Sequence, residues 1–233
     1  MTILTPVTAT PYSATCTWAS GLNGMKSLLS SPKLMTRVGY GDTQDTQPLS
    51  KVDKTMILGD VLGGLGDILS LFTRHEENVF NYTVRFLNNS NFTLLSKGVK
   101  YTQGLRFSTT GAIMTPSSKM EYKANYHSEY SLYDTMVFSF MASNMANNNI
   151  IDFDLSITTA EDSGDPIRIS QFTDHINGKN ATLPVNGLLQ YDSYFCQVIN
   201  YQSDQPGMEV DLSILALANV GHGSNNEIII SFI

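Results

Sequence analysis

The sequence predicts a mainly β fold, a β-sandwich of about ten short strands with one or two flanking helices. Three observations lead there. From residue 79 onward, apolar side chains recur at every second position, the period of a half-buried strand. The apolar runs are short, and Asn, Ser, Gly and Pro separate them. Only 15% of the 233 residues are charged while 42% are hydrophobic, so the water-facing side must be built largely from Ser, Thr, Asn and Gln.

The first clear strand has Phe80, Tyr82, Val84 and Phe86 alternating with Asn81, Thr83 and Arg85. Residues 88–91 carry turn chemistry, and a strand resumes over 92–95. Further strands are predicted at 99–103, 112–114, 136–141, 151–157, 167–172, 194–200, 208–216 and 227–233. Within 151–157, Ile151, Phe153, Leu155 and Ile157 point one way, and Asp152 and Asp154 the other.

Residues 1–54 are rich in Thr, Ser, Pro and Gly and read as an N-terminal arm. A short helix is predicted at 25–29, stopping at Pro32. Neither a repeat nor a linker divides the remainder, so 55–233 forms a single sandwich domain that includes an amphipathic helix at 56–72. Leu58, Val61, Leu62, Leu65, Ile68, Leu69 and Phe72 make one apolar face at helical period. Gly59, Gly63, Gly64 and Gly66 weaken that helix, each by about 0.5–1 kcal/mol relative to Ala. To stay helical the segment needs its apolar face buried. Lipid is one partner for it, and a sheet of the same domain is the other.

The net charge of −7, with no run of Lys or Arg, excludes a nucleic-acid footprint and disfavours attraction to anionic lipid. A neutral sugar or a zwitterionic headgroup fits better. Cys16 and Cys196 read as two buried free thiols, the alternative being one disulfide tying the arm to a late strand. Neither cysteine has metal-ligand spacing around it, and no metal or other cofactor is expected.

The residues that carry chemistry elsewhere are scattered here. His75, His127, His175 and His222 form no local metal pair. Asp174 and His175 lie near Ser170, without a nucleophile elbow. Asp152 and Asp154 share a strand face, which is ordinarily its solvated side. The acidic stretch 161–165 reads as a hairpin turn, with a weak calcium site as the sharper alternative. No catalytic residue is assigned, and the chain is expected not to be an enzyme. Residues 1–20 lack the charge and apolar run of a signal peptide, and no stretch reaches the roughly 18 apolar residues of a membrane span. The sequons at Asn81, Asn88, Asn91 and Asn180 read as part of an Asn-rich β surface.

In the series Tyr122, Tyr126, Tyr130 and Tyr133, the first three recur at a spacing of four, which suits one face of a helix or of a strand. As an exposed row they would stack on a sugar or cage a choline headgroup. As strand residues they would fill a core edge.

The runs VFNYTVRFLNNSNFTLL, KYTQGLRF and GAIMTPSSKMEY resemble the early sheet region of actinoporin-like cytolysins. LGDVLGGLGDILSLF resembles the detachable helix that precedes that region in the family. The resemblance covers roughly residues 56–140 and implies a β-sandwich flanked by helices, related to fungal sugar-binding lectins. It implies a membrane-binding, pore-forming cytolysin, a toxin or defence protein released to act at target membranes. Such a protein docks on lipid headgroups through aromatic residues, inserts the helix and assembles as a homo-oligomer. The arm would mask the helix until it is removed or displaced. Two other readings stay open: a carbohydrate-binding, lectin-like module, and a self-assembling structural protein of capsid type.

Overall fold

The computed structural model describes residues 2–4, 12–29, 81–101, 105–109, 113–126, 135–144, 149–158, 166–183, 194–205, 208–219 and 225–233. These residues form a β-sandwich of two sheets with one helix on its outside. The eight-stranded sheet contains β1 (Thr2–Leu4), β2 (Tyr12–Ser20), β3 (Asn81–Asn88), β5 (Leu105–Thr109), β7 (Ser118–Tyr126), β12 (Tyr194–Gln205), β13 (Met208–Asn219) and β14 (Asn225–Phe232). Its spatial order is β1-β2-β12-β13-β14-β3-β7-β5. The six-stranded sheet contains β4 (Thr93–Tyr101), β6 (Ile113–Met114), β8 (Thr135–Asn144), β9 (Asn149–Thr158), β10 (Arg168–Asp174) and β11 (Lys179–Thr182), in the order β11-β10-β9-β8-β4-β6. All pairings are antiparallel except β14 with β3, which run parallel from Asn225↔Asn81 to Phe232↔Asn88.

The alternation read in the sequence becomes the core. On β3, Tyr82, Val84 and Phe86 turn inward. Met136, Phe138, Phe140 and Ala142 of β8 face them from the other sheet, beside Ile151, Phe153, Leu155 and Ile157 of β9. Phe86 lies at the centre, with ring centroids 5.0 Å from Phe138 and Phe140, 5.8 Å from Tyr122 and 6.0 Å from Phe232. Separations of this size suit edge-to-face and offset packing, which adds to the gain from burial.

Polar ties also cross the apolar layer, three of them at Ser96, Gln197 and Asn88. The Ser96 and Tyr122 hydroxyls are 2.8 Å apart. Gln197 uses both ends of its amide on one backbone residue, donating to the Ile169 carbonyl at 2.9 Å and accepting from the Ile169 N–H at 3.0 Å. The β9–β10 register shifts between Ile169 and Gln171, so the side chain from β12 completes the bonding of a strand at its irregularity. Asn88 is the third tie. Its Nδ2 donates to the carbonyls of Phe92 (2.7 Å) and Met114 (2.9 Å), while its Oδ1 accepts from the Ser90 hydroxyl at 2.7 Å. This buried amide joins the end of β3 to β4 and β6, and explains why Asn rather than any turn residue stands there. Asn88→Ala is expected to destabilise the protein by about 1–3 kcal/mol, because two buried carbonyls lose their donor. The midpoint of urea unfolding measures it.

The N-terminal region differs from the expected arm. β2 pairs with β12 from Phe195↔Ser20 to Ser203↔Tyr12 and is an integral strand of the large sheet. The sequence hides it because its alternation is made by small and hydroxyl residues, in YSATCTWAS, rather than by large apolar ones. The helix predicted at 25–29 is present as α1 (Gly21–Leu29), which follows β2 directly and packs Met25 and Leu28 on the outer face of the sheet. The expected amphipathic helix at 56–72 lies outside the described residues.

Cys16 and Cys196 are both free and buried. Cys16 belongs to the core between the sheets, Cys196 to the apolar cluster beneath α1, so the two thiols lie on opposite faces of one sheet. Burial pushes the Cys16 thiol up to about 12 and raises that of Cys196 as well, which leaves both protonated and unreactive at neutral pH.

Candidate functional site

Three large hydrophobic side chains are exposed among the described residues: Ile113 (64%), Ile150 (46%) and Ile176 (43%). All three lie at one end of the six-stranded sheet. Ile113 sits on the edge strand β6, opposite Leu95 of β4, and Leu95 in turn lies opposite Met141 of β8. The row Ile113–Leu95–Met141 therefore crosses three strands on the outer face, its last two members half-buried. Ile150, at the start of β9, is opposite Ser143 and so diagonal to Met141. Ile176 lies in the turn joining β10 to β11. With strands about 4.8 Å apart, the rim from β6 to this turn spans roughly 20 Å.

Local chemistry holds the rim in place. The turn after β10 is organised by Asp174, whose Oδ1 accepts the N–H groups of Ile176 (2.9 Å) and Asn177 (3.2 Å). Its Oδ2 accepts the Asn177 amide at 2.8 Å and the Tyr201 hydroxyl at 2.6 Å. Gly178 closes the turn at φ 63°, a left-handed conformation that favours glycine. The His175 N–H donates to the Asp152 carbonyl at 2.8 Å, which fastens the turn against β9. At the other edge, Ser118 N–H donates to Thr115 O (3.1 Å) and Ser117 N–H to Asn88 O (2.7 Å). The two isoleucine-bearing edges thus rest on Asp174, which the sequence marks only as part of an Asp–His pair near Ser170, and on Asn88, which it marks as a turn residue and sequon.

The row continues from Met141 to Asp152, and above it the same face is polar. Ser139, Asp154, Thr173 and Asn180 run side by side across β8, β9, β10 and β11, with Ser156, Gln171 and Thr182 in the next row. Lys97 makes an ion pair with Asp152, and His175 Nε2 lies 2.9 Å from Asp154 Oδ2. The aspartates of this strand face are therefore engaged, Asp152 by Lys97 and Asp154 by His175, and are not free as an acid–base pair. The residues that suggest a catalytic relay are also separated in role: the Ser170 hydroxyl bonds the Thr158 hydroxyl at 2.6 Å, and His175 meets Asp154.

Of the sequence-predicted binding residues, Tyr122 is 2% exposed. On β7 the inward positions are Met120 and Tyr122, while Glu121 and Lys123 face out. Tyr122 stacks edge-on against Phe86 and Phe138, so it is a core side chain with no surface for a sugar or headgroup. Tyr126 stands opposite Leu105 of β5 at the end of β7. Tyr130 and Tyr133 lie outside the described residues, as do Leu58, Val61, Leu62, Leu65, Ile68, Leu69 and Phe72. The rim isoleucines are not predicted by the sequence. Ile150 is followed by Ile151, which points inward; the alternation over 151–157 puts Ile150 on the side of Asp152 and Asp154, but nothing in the sequence groups it with Ile113 and Ile176.

No protein-family model and no curated protein matches the chain. Among solved structures it is similar to the lipid binding protein Nakanori, with a TM-score of 0.42 and 8% identity over 86% of this chain and 95% of that one. It is also similar to IP-1A from Alcaligenes faecalis (TM-score 0.34, 8% identity, 66% of this chain and 91% of that one). A third is the Xerocomus chrysenteron lectin XCL (TM-score 0.36, 8% identity, 68% of this chain and 100% of that one). At this level of likeness, no ligand or activity follows for this chain.

Proposed function

We propose that the chain is a lipid-binding β-sandwich that docks on membranes through the isoleucine rim of its six-stranded sheet. The observation that carries this reading is that Ile113, Ile150 and Ile176, the large apolar side chains left in water among the described residues, lie together on one rim. Scattered exposed apolar residues need no explanation, whereas a grouped set marks an interaction surface. Branched aliphatic side chains have neither a ring face for a sugar nor a hydrogen-bonding group, and they suit the acyl boundary of a bilayer. Each isoleucine moved from water contributes about 1–2 kcal/mol, enough together for reversible docking. Residues 56–72 would be the part that enters lipid and, on oligomerisation, forms a pore.

Co-sedimentation with phosphatidylcholine–sphingomyelin vesicles tests the docking step. Ile113→Asp and Ile150→Asp are each expected to weaken retention about 10-fold, the equivalent of roughly 1.4 kcal/mol. Retention unchanged in the folded double variant would remove the rim from the mechanism. Leakage of vesicle dye, lost in Leu65→Asp with binding retained, tests pore formation separately.

A second reading rests on the polar rows above the rim. Gln171, Thr173, Asn180 and Thr182 present hydroxyl and amide groups on adjacent strands, the donor and acceptor types that bind neutral sugars. Retention on a glycan array without vesicle binding would favour a lectin.

A further inference from the structure

One of the four sequons cannot carry a sugar in this fold. Asn88-Asn89-Ser90 has the acceptor pattern for N-glycosylation, a modification that belongs on exposed surface. Asn88 is 0% exposed. Its Nδ2 has two hydrogens and both are used, one on the Phe92 carbonyl at 2.7 Å and one on the Met114 carbonyl at 2.9 Å. Both bonds are buried, so neither carbonyl can turn to water instead. The hydroxyl of the sequon is consumed as well, because Ser90 Oγ donates to Asn88 Oδ1 at 2.7 Å. The backbone is fixed on either side: Ser117 N–H donates to Asn88 O, and Asn89 N–H to Phe232 O. Asn91 and Asn180 differ, since both are exposed and a sugar on either stays in water.

N-glycosylation forms a bond from the asparagine Nδ2 to C1 of a sugar. It breaks the bond from C1 to the pyrophosphate of a lipid-linked oligosaccharide, and one proton leaves the nitrogen. The product nitrogen keeps a single N–H for two buried carbonyls. The sugar ring would also stand where Phe92 and Met114 pack into the core. A buried carbonyl without its donor is costly, and a close-packed interior has no room for the ring. The order of synthesis leaves the site open to attack. Met114 follows Asn88 by 26 residues, and Phe232 belongs to β14, the last strand of the chain. While the chain is being made, the sequon is therefore accessible to a transferase that the finished fold excludes. We infer that the chain reaches its native state only where N-glycosylation does not act, in a cell without that chemistry or on a route that bypasses it. Modification of Asn88 and its structural role exclude each other.

The test sends the full chain through the secretory pathway of cultured eukaryotic cells behind an added leader, and does not depend on the membrane reading. The chain carries Asn81→Gln, Asn91→Gln and Asn180→Gln, so that Asn88 is the one sequon left. The same chain made without the leader is the folded reference. The secretory form is expected to carry a glycan at Asn88, identified by peptide mass, and to be digested by protease about 10-fold faster than the reference or more. Ser90→Ala removes the sequon and keeps the Asn88 amide. It is expected to be digested at the same rate with and without the leader. Where these variants fail to fold, an inhibitor of lipid-linked oligosaccharide synthesis, applied to cells secreting the unaltered sequence, provides a second readout, with restored protease resistance expected. A glycan at Asn88 with resistance equal to the reference, a folded secretory form with Asn88 unmodified, or no gain in resistance under the inhibitor would each overturn the inference.

Discussion

Phe86→Ala is expected to cost about 3–5 kcal/mol, more than the loss of any one hydrogen bond that ties the two sheets. Phe86 is 0% exposed and makes ring contacts with Tyr122, Phe138, Phe140 and Phe232, from both sheets. Truncation removes the transfer energy of a benzyl group and leaves a cavity that cannot collapse, because its walls are rings held by two hydrogen-bonded sheets. Chemical denaturation should show a lower midpoint at constant slope. Phe86→Leu, which keeps most of the volume, should lose considerably less. A loss under about 1 kcal/mol for the alanine variant would mean that the two sheets do not meet at this point.

Asp174→Ala is expected to cost about 2–4 kcal/mol through a different mechanism. The side chain is 1% exposed and receives four hydrogen bonds, including one from the Tyr201 hydroxyl of the opposite sheet. Alanine leaves that hydroxyl buried without its acceptor and frees the turn that presents Ile176. Tyr201→Phe should recover part of the loss when combined with Asp174→Ala, since both partners are then gone. A double-mutant cycle with a coupling near zero would show that the Tyr201–Asp174 bond contributes nothing. The same change should reduce vesicle retention by a wild-type-like fold, because the rim loses its ordering at one edge.

The central strands are legible in the sequence and the edges much less so. β3, β8 and β9 can be read because large apolar residues alternate with polar ones, as in Phe138, Phe140, Phe153 and Leu155. β2 is hidden because Cys16 and Trp18 are set among Ala, Ser and Thr, a pattern that a loop shares. β7 is ambiguous for a geometrical reason: tyrosines four apart satisfy both regular periods, and only the burial of Met120 and Tyr122 decides between them. The β10 turn reads in the sequence as an Asp–His pair of unknown purpose, whereas its carboxylate accepts the backbone N–H groups of Ile176 and Asn177. The grouping of the rim cannot be read, although the alternation over 151–157 puts Ile150 on the outer side. Which outward side chains lie beside one another depends on strand register, and register is set by partners far away in the sequence.

The parallel pairing of β14 with β3 also governs how the chain reaches this structure. β14 is the strand that joins β1, β2, β12 and β13 to β3, β7 and β5, so without it the larger sheet is two separate pieces. β3 must wait for a strand that comes after every other one in the order of the chain. Such distant partners make the contact order high, and closing so long a loop precedes any reward from the contacts it makes. Folding should therefore be slow, on the scale of milliseconds to seconds or longer, with the β12–β13 hairpin and the β8–β9 hairpin formed early and the join at β3 formed last.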